Sequence, residues 1–420
     1  LKAQIELGPQ NGLYTLLTKN NVGVSARVIG AVSDVLSLVK NPELVLAAMT
    51  SIDIKIVSLT VTEKAYGLNR RSKGCDEKHP QVAADLNNFQ EPKGVLGLLT
   101  KALELRRAAN IPPFTVLCCD NLPNNGSVLR DAVIDFAYRL NPELSEWIKK
   151  TTAFPSTMVD RITPAPTQET LNEAAKIIGV KDLAAVTTEE FWQWIIEDNF
   201  PMGRPKWDLA GAIFTNDVSP FEKMKLRMLN GTHSMLAYAG FHSGHKYVRE
   251  VMNDPILVSL IERHMFAAAQ TLLPIDGLDY TSYAQSLKER FQNRSIAHET
   301  FQIAQDGSEK LPQRIFSAAS DARAMGKDIR PFIFATAAWL RHISGVTHDC
   351  KEYELRDPNA NELKNINLKV GPEKLMEGLG SIGILSSSIS KDAEFWFDVF
   401  ESLQKMLKLP MTKVIADEIS

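Results

Sequence analysis

In the first half of the chain, short β-branched runs alternate with stretches of helical periodicity. Residues 26–32 give a weak strand, residues 54–61 a strong one, and residues 114–119, behind Pro112 and Pro113, a third. Between the last two, Val95, Leu98, Leu99, Leu103 and Leu105 recur at near-helical spacing within residues 94–110. That stretch ends in Arg106 and Arg107, which suit a helix C-terminus, and it predicts a crossover helix. Residues 127–140 read as the next helix, so Asp120 and Asn121 fall where a strand ends and a helix is about to begin. This alternation predicts βαβ units and a parallel sheet. From about Phe191 onward the β-runs vanish, and amphipathic stretches at 221–238, 257–273 and 332–343 predict a mostly helical second half. The expected class is α/β plus all-α, with domains at residues 1–214 and 215–420.

At 420 residues, two domains are expected, with enough core to fold without disulfides or metals. A hydrophobic share of 44% and a charged share of 23% argue against disorder, collagen and coiled coil. A formal charge of -3 offers no general attraction to nucleic acid or to an anionic membrane, so neither is expected as a partner. The four cysteines, Cys75, Cys118, Cys119 and Cys350, form no CxxC pair, which points to a reducing compartment and a cytoplasmic location. No run of 18 apolar residues and no apolar leader is present. The histidines, His242, His245 and His264 among them, show no metal-ligand spacing, so no metal is expected.

The most informative segment is residues 221–234. On a helix turning about 100° per residue, Glu222, Lys225, Asn230 and His233 share an arc of roughly 140° with Leu226 and Leu229. A solvated face would not carry two leucines, and a plain core face would not carry lysine, asparagine and histidine. By pattern alone, the face fits an interfacial stripe with a snorkelling lysine and a satisfied histidine at least as well as a site.

The spacing of Lys225, Asn230 and His233 within the tract 225–234 resembles the signature of the mannitol dehydrogenase superfamily, the long-chain, metal-independent polyol and sugar-acid dehydrogenases. That group includes mannitol 2-dehydrogenases and fructuronate reductases (mannonate oxidoreductases). Five further tracts in order, 56–64, 119–126, 154–162, 196–200 and 306–312, extend the resemblance over nearly the whole chain. It implies a Rossmann-like dinucleotide-binding domain, a helical substrate domain, NAD or NADP as cofactor, and a small polyol or sugar acid as substrate. Oxidising a secondary alcohol without zinc requires side chains for both the base and the oxyanion donors. By resemblance Lys225 is the base, Asn230 and Asn121 hold the alkoxide, and His233 orients the substrate or Lys225. Glu222, Asp160, Lys310 and Gln302 would contact the substrate, Glu63 would pass protons to solvent, and Thr60 and Thr62 would join Asn121 against the cofactor. A lysine acts as a base near neutral pH only where its surroundings lower its pKa by ~2–3 units.

Simpler roles compete. Asn121 also suits an Asx turn or a helix N-cap, Glu63 a cap, and Asp160 an ion pair with Arg161, while Cys118 and Cys119 read as inert core residues.

The family pattern is incomplete. No strand is followed by a GxGxxG-like phosphate loop; the nearest match, Gly94 to Gly97, lies in a helical stretch and reads as helix packing. By resemblance, Leu1 falls inside the first domain, so the first βα unit is expected to precede it. The alternative is a non-catalytic relic or a sugar-binding protein. The substrate signals divide as well: residues 62–64, 154–158 and 302–314 match the uronate reductase branch, yet Ala297, His298 and Glu299 stand where that branch tends to be basic.

Overall fold

The computed structural model describes residues 2–61, 63–69, 74–295, 298–385 and 388–420, with Glu63 and Lys64 described by their backbone alone. The chain divides into two compact units, Leu1–Ser219 and Pro220–Ser420.

The first unit is Rossmann-like. Strands Ile56–Leu59 and Thr115–Cys118 run parallel and in register, Ile56 opposite Thr115 and Leu59 opposite Cys118. They are connected through the helix Val95–Ala108. Arg106, expected to favour the end of that helix by its charge, is instead wholly buried. Its guanidinium donates to the carbonyls of Pro112 (2.8 Å), Met49 (3.0 Å) and Ile54 (2.9 Å), fastening the helix to the segments that lead into both strands. The Gly94–Gly97 stretch also has a structural use. The amides of Lys93 and Gly94 donate to the Asp85 carboxylate, and a Cβ at Gly97 would lie 2.2 Å from Asp85 Oδ2.

Two expectations need correction. The run at 26–32 forms the strand Val24–Ile29, but it pairs antiparallel with Tyr14–Lys19, whose other edge runs parallel to Val186–Glu189. Nor do strands end at Phe191: Gln193–Glu197 lies between Thr157–Asp160, antiparallel, and Ile213–Thr215, parallel. In Gln193–Glu197 only Ile195 and Ile196 are fully buried, so the segment carries no run of β-branched residues long enough to announce a strand.

The second unit is helical. Helix Arg330–Ile343 is buried from Pro331 to Ile343, and it packs against both Thr232–His242 and Ala393–Lys408. That burial on all sides marks it as the central element. No helix among the described residues is long and apolar enough to cross a membrane.

Candidate active site

In the second unit, the segment expected as one regular helix is three pieces: α-helix Ser219–Met224, a π-helical stretch Lys225–Gly231, and α-helix Thr232–His242. Bonding from i to i+5 widens the turn. Lys225 and Asn230 are five residues apart. On an α-helix they would stand about 140° apart, at opposite margins of the polar face; the wide turn draws them toward one side. Glu222 is buried, whereas Lys225, Asn230 and His233 are each partly exposed.

Tertiary contacts hold this turn. A second π-helical stretch, Pro312–Phe316, packs against it, and a Cβ at Gly231 would come within 2.9 Å of the Arg314 carbonyl oxygen. Arg314 Nη1 donates to the Asn230 carbonyl (3.4 Å) and to Ser234 Oγ (3.1 Å). On the far side, buried Arg227 donates to Thr271 O and Oγ1 (both 2.9 Å) and to Ser317 Oγ (3.3 Å), and it pairs with Asp321.

His233 stacks on Phe291 (centroids 4.6 Å apart, planes at 18°) and meets His298 edge-on at 5.2 Å. Burial, then the positive charge of His298, Arg314, Arg290 and Lys310, pushes its pKa well below the ordinary imidazole value. The ring is therefore neutral near pH 7, with one nitrogen to donate and one to accept. Burial lowers Lys310 as well, with Arg314 adding to the effect; its ammonium donates to Gln305 O (2.6 Å) and lies 3.8 Å from Asp306. The Arg314 guanidinium is lowered to about 10 by burial, and among the described residues no carboxylate pairs with it. Gln302 stands exposed on the short helix Thr300–Ile303.

In the first unit, Thr60 and Asn121 follow the carboxyl ends of the two parallel strands, and both are exposed. Ligands of open parallel sheets bind at such ends. The helix Asn125–Leu140 starts after Asn124, three residues beyond Asn121, and in the loop between strand and helix Asp120 Oδ1 accepts from Leu122 N (2.9 Å). Fully buried Asn125 donates to the carbonyls of Cys118 (3.2 Å) and Asp120 (3.2 Å), fixing the loop that presents Asn121. Cys118 is buried and pushed up to about 12, chiefly by burial and next by Asp120, while burial holds Cys119 at about 11. Asp160 ends the strand Thr157–Asp160 and is buried; Arg161 turns away to the Glu189 carbonyl (3.3 and 3.2 Å). Thr62 and the Glu63 side chain lie outside the described residues.

Sequence reading passed over Arg314, His298 and Asn125 as functional positions. Arg314 lies in the tract 302–314; its half-buried place beside Asn230, with no carboxylate paired to it among the described residues, is a tertiary fact with no local signal.

A parallel sheet of this kind is the fold of a dinucleotide-binding domain. The mannitol dehydrogenase Rossmann domain matches residues 3–209, the mannitol dehydrogenase C-terminal domain matches residues 217–407, and the chain belongs to that family. It is 39% identical over 417 residues to the D-mannonate oxidoreductase of Escherichia coli (strain K12), covering 98% of this chain and 85% of that protein. It is 36% identical over 408 residues to the mannitol 2-dehydrogenase of Aspergillus terreus, covering 96% and 81%. Among solved structures, the Pseudomonas fluorescens mannitol 2-dehydrogenase ternary complex with NAD and D-mannitol superimposes with a TM-score of 0.84 at 34% identity, over 99% of this chain and 85% of that one.

Proposed function

We propose that the chain is an NAD(P)-dependent, metal-independent dehydrogenase that interconverts a secondary alcohol of a sugar acid with its ketone. The reading rests on the half-buried cations Lys310 and Arg314 beside His233, with Arg314 bonded to the Asn230 carbonyl and Lys225 on the same π-helical stretch as Asn230. Arg314 has donors left over after Asn230 and Ser234, and a guanidinium is the natural partner of a carboxylate. A neutral polyol would gain little from that surplus of positive charge. The likeness to D-mannonate oxidoreductase supports the same substrate class.

When bound, NAD or NADP would supply the hydride acceptor for oxidation and the hydride donor for reduction. The exposed hydroxyl of Thr60 and amide of Asn121, at the carboxyl ends of parallel strands, are groups of the kind that hold a dinucleotide there, and Thr62 takes the same role from its place in the sequence. Lys225 Nζ removes the hydroxyl proton in oxidation and returns it in reduction. The amides of Asn230 and Asn121 stabilise the developing alkoxide without themselves changing charge. His233, neutral, orients the reacting hydroxyl or Lys225. Glu222, Asp160, Lys310 and Gln302 bind the substrate's other groups, and Glu63 passes the proton to solvent.

The test is oxidation of NADH and of NADPH by the purified protein with fructuronate, tagaturonate and fructose, with and without chelator, beside Lys225→Ala. The expected result is turnover of a uronate, indifferent to chelator and reduced ~10²–10⁴-fold in Lys225→Ala. Unchanged activity of Lys225→Ala would overturn the mechanism, and a preference for fructose would overturn the substrate assignment.

A further inference from the structure

In the second unit, a cavity of about 540 Å³ opens between the C-terminal end of helix Arg330–Ile343, the turn at residues 344–350 and the segment 363–369. Its volume is that of a small-molecule site. Its charged lining has a single sign, Arg341, Lys364 and Lys369, with no aspartate or glutamate among the described lining residues. None of the three takes part in an ion pair among the described residues. The carboxylates nearest in sequence, Asp349 and Glu362, are exposed and line no part of the cavity.

Arg341 is the unusual member. It is 3% exposed, yet no carboxylate balances it. Its Nε donates to Met406 O (3.1 Å), and its Nη1 to Ser344 Oγ (2.6 Å) and Val346 O (2.7 Å). Among the described residues its Nη2 donates to no protein atom, and it is not among the solvent-sealed polar atoms of this cavity-lining residue. A structural role, tying three segments together, accounts for Nε and Nη1; it leaves the open donors and the two rim lysines without a use. A buried cation without a counter-charge is costly, and an anion entering the cavity would relieve that cost.

We propose that this cavity is an accessory binding site for a small organic polyanion, bearing phosphate or carboxylate groups. The anionic groups bind Arg341 Nη2, Lys364 and Lys369, and the carbon skeleton lies on Ile343, Leu363 and Ile366. The test is isothermal titration calorimetry of the full chain with pyrophosphate and with citrate at constant ionic strength. A saturable site for at least one probe is expected, weakened about tenfold or more in K364Q/K369Q, whose altered side chains are exposed and unbonded. The thermal midpoint of that variant without ligand should match the parent's, showing that it folds. Binding of pyrophosphate alone would mark the ligand as a phosphate ester, and of citrate alone as a carboxylic acid. No saturable binding of either probe, or binding that K364Q/K369Q leaves unchanged, would overturn the proposal.

Discussion

The Asn125 side chain pairs with the Thr157 backbone as a neighbouring strand would: Nδ2 donates to Thr157 O at 3.0 Å while Oδ1 accepts from Thr157 N at 2.9 Å. The same Nδ2 lies within reach of the carbonyls of Cys118 and Asp120, so one amide joins the end of a strand, the Asn121 loop and the strand Thr157–Asp160. Asn125→Ala should therefore cost about 2–4 kcal/mol in urea unfolding, because it strands buried backbone groups as well as losing bonds. It should also lower turnover more than KM, since Asn121 loses its fixed position. A variant with wild-type stability would show that the loop is held by other means.

Arg314 gives a prediction on specificity. Arg314→Met should reduce kcat/KM for a sugar acid by at least about tenfold, as expected for a lost charge-assisted contact, and change that for a neutral polyol much less. Ser234→Ala, which removes only the internal acceptor at 3.1 Å, serves as the control and should leave the ratio of the two substrates alone. Equal losses on both substrates would assign Arg314 to structure.

Gly231 stands where two π-helical stretches touch. Its φ of -64° is ordinary, so alanine meets no backbone strain there; the obstacle is the Arg314 carbonyl at 2.9 Å. Gly231→Ala should cost about 1–3 kcal/mol and displace Asn230 from Lys225, lowering turnover along with thermal stability. An active, fully stable alanine variant would mean that the two stretches separate freely.

Stability should fall in acid. His233, His242, His264, His298 and His342 are all held below the ordinary imidazole value, by burial first and for all but His264 by nearby charge as well, His264 reaching about 4 and His342 about 3. Below pH ~6.5 the unfolded chain binds protons that the native state refuses. The contribution is complete above that value and is lost as pH falls from about 6.5 toward 4, by up to about 1.4 kcal/mol per pH unit for each excluded proton. Urea unfolding near pH 7.5 and near pH 5 measures it; equal free energies at the two would mean that these rings take up protons in the native state.

What the sequence disclosed follows from what each element depends on. Residues 115–118 were legible because that strand is buried at every position, and residues 56–59, half-buried beside it, carry enough β-branched and apolar side chains to show the same signal. Strands Tyr14–Lys19 and Val186–Glu189 carry threonines and charge and have partly covered faces, so their pairing comes from distant segments. The cluster around Lys225 was legible by residue type and spacing, its geometry less so. Periodicity assumes one pitch, and the π-helical turn sits where Gly231 and Arg314 bring it against a second π-helical stretch. The Asn125 bonds were invisible for a similar reason, since their acceptors lie up to 32 residues away.

The wide turn at Lys225–Gly231 lets the helix carry a supernumerary residue. Inserted into regular α-helix, one residue would swing everything beyond it by about 100°. Absorbed as a local bulge, it leaves Thr232–His242 packed against Arg330–Ile343 and confines the change to the short stretch that bears Lys225 and Asn230. Core packing and the spacing of these two side chains are thereby uncoupled: the distance from Lys225 to Asn230 is set within a single link, not by the bundle that supports them.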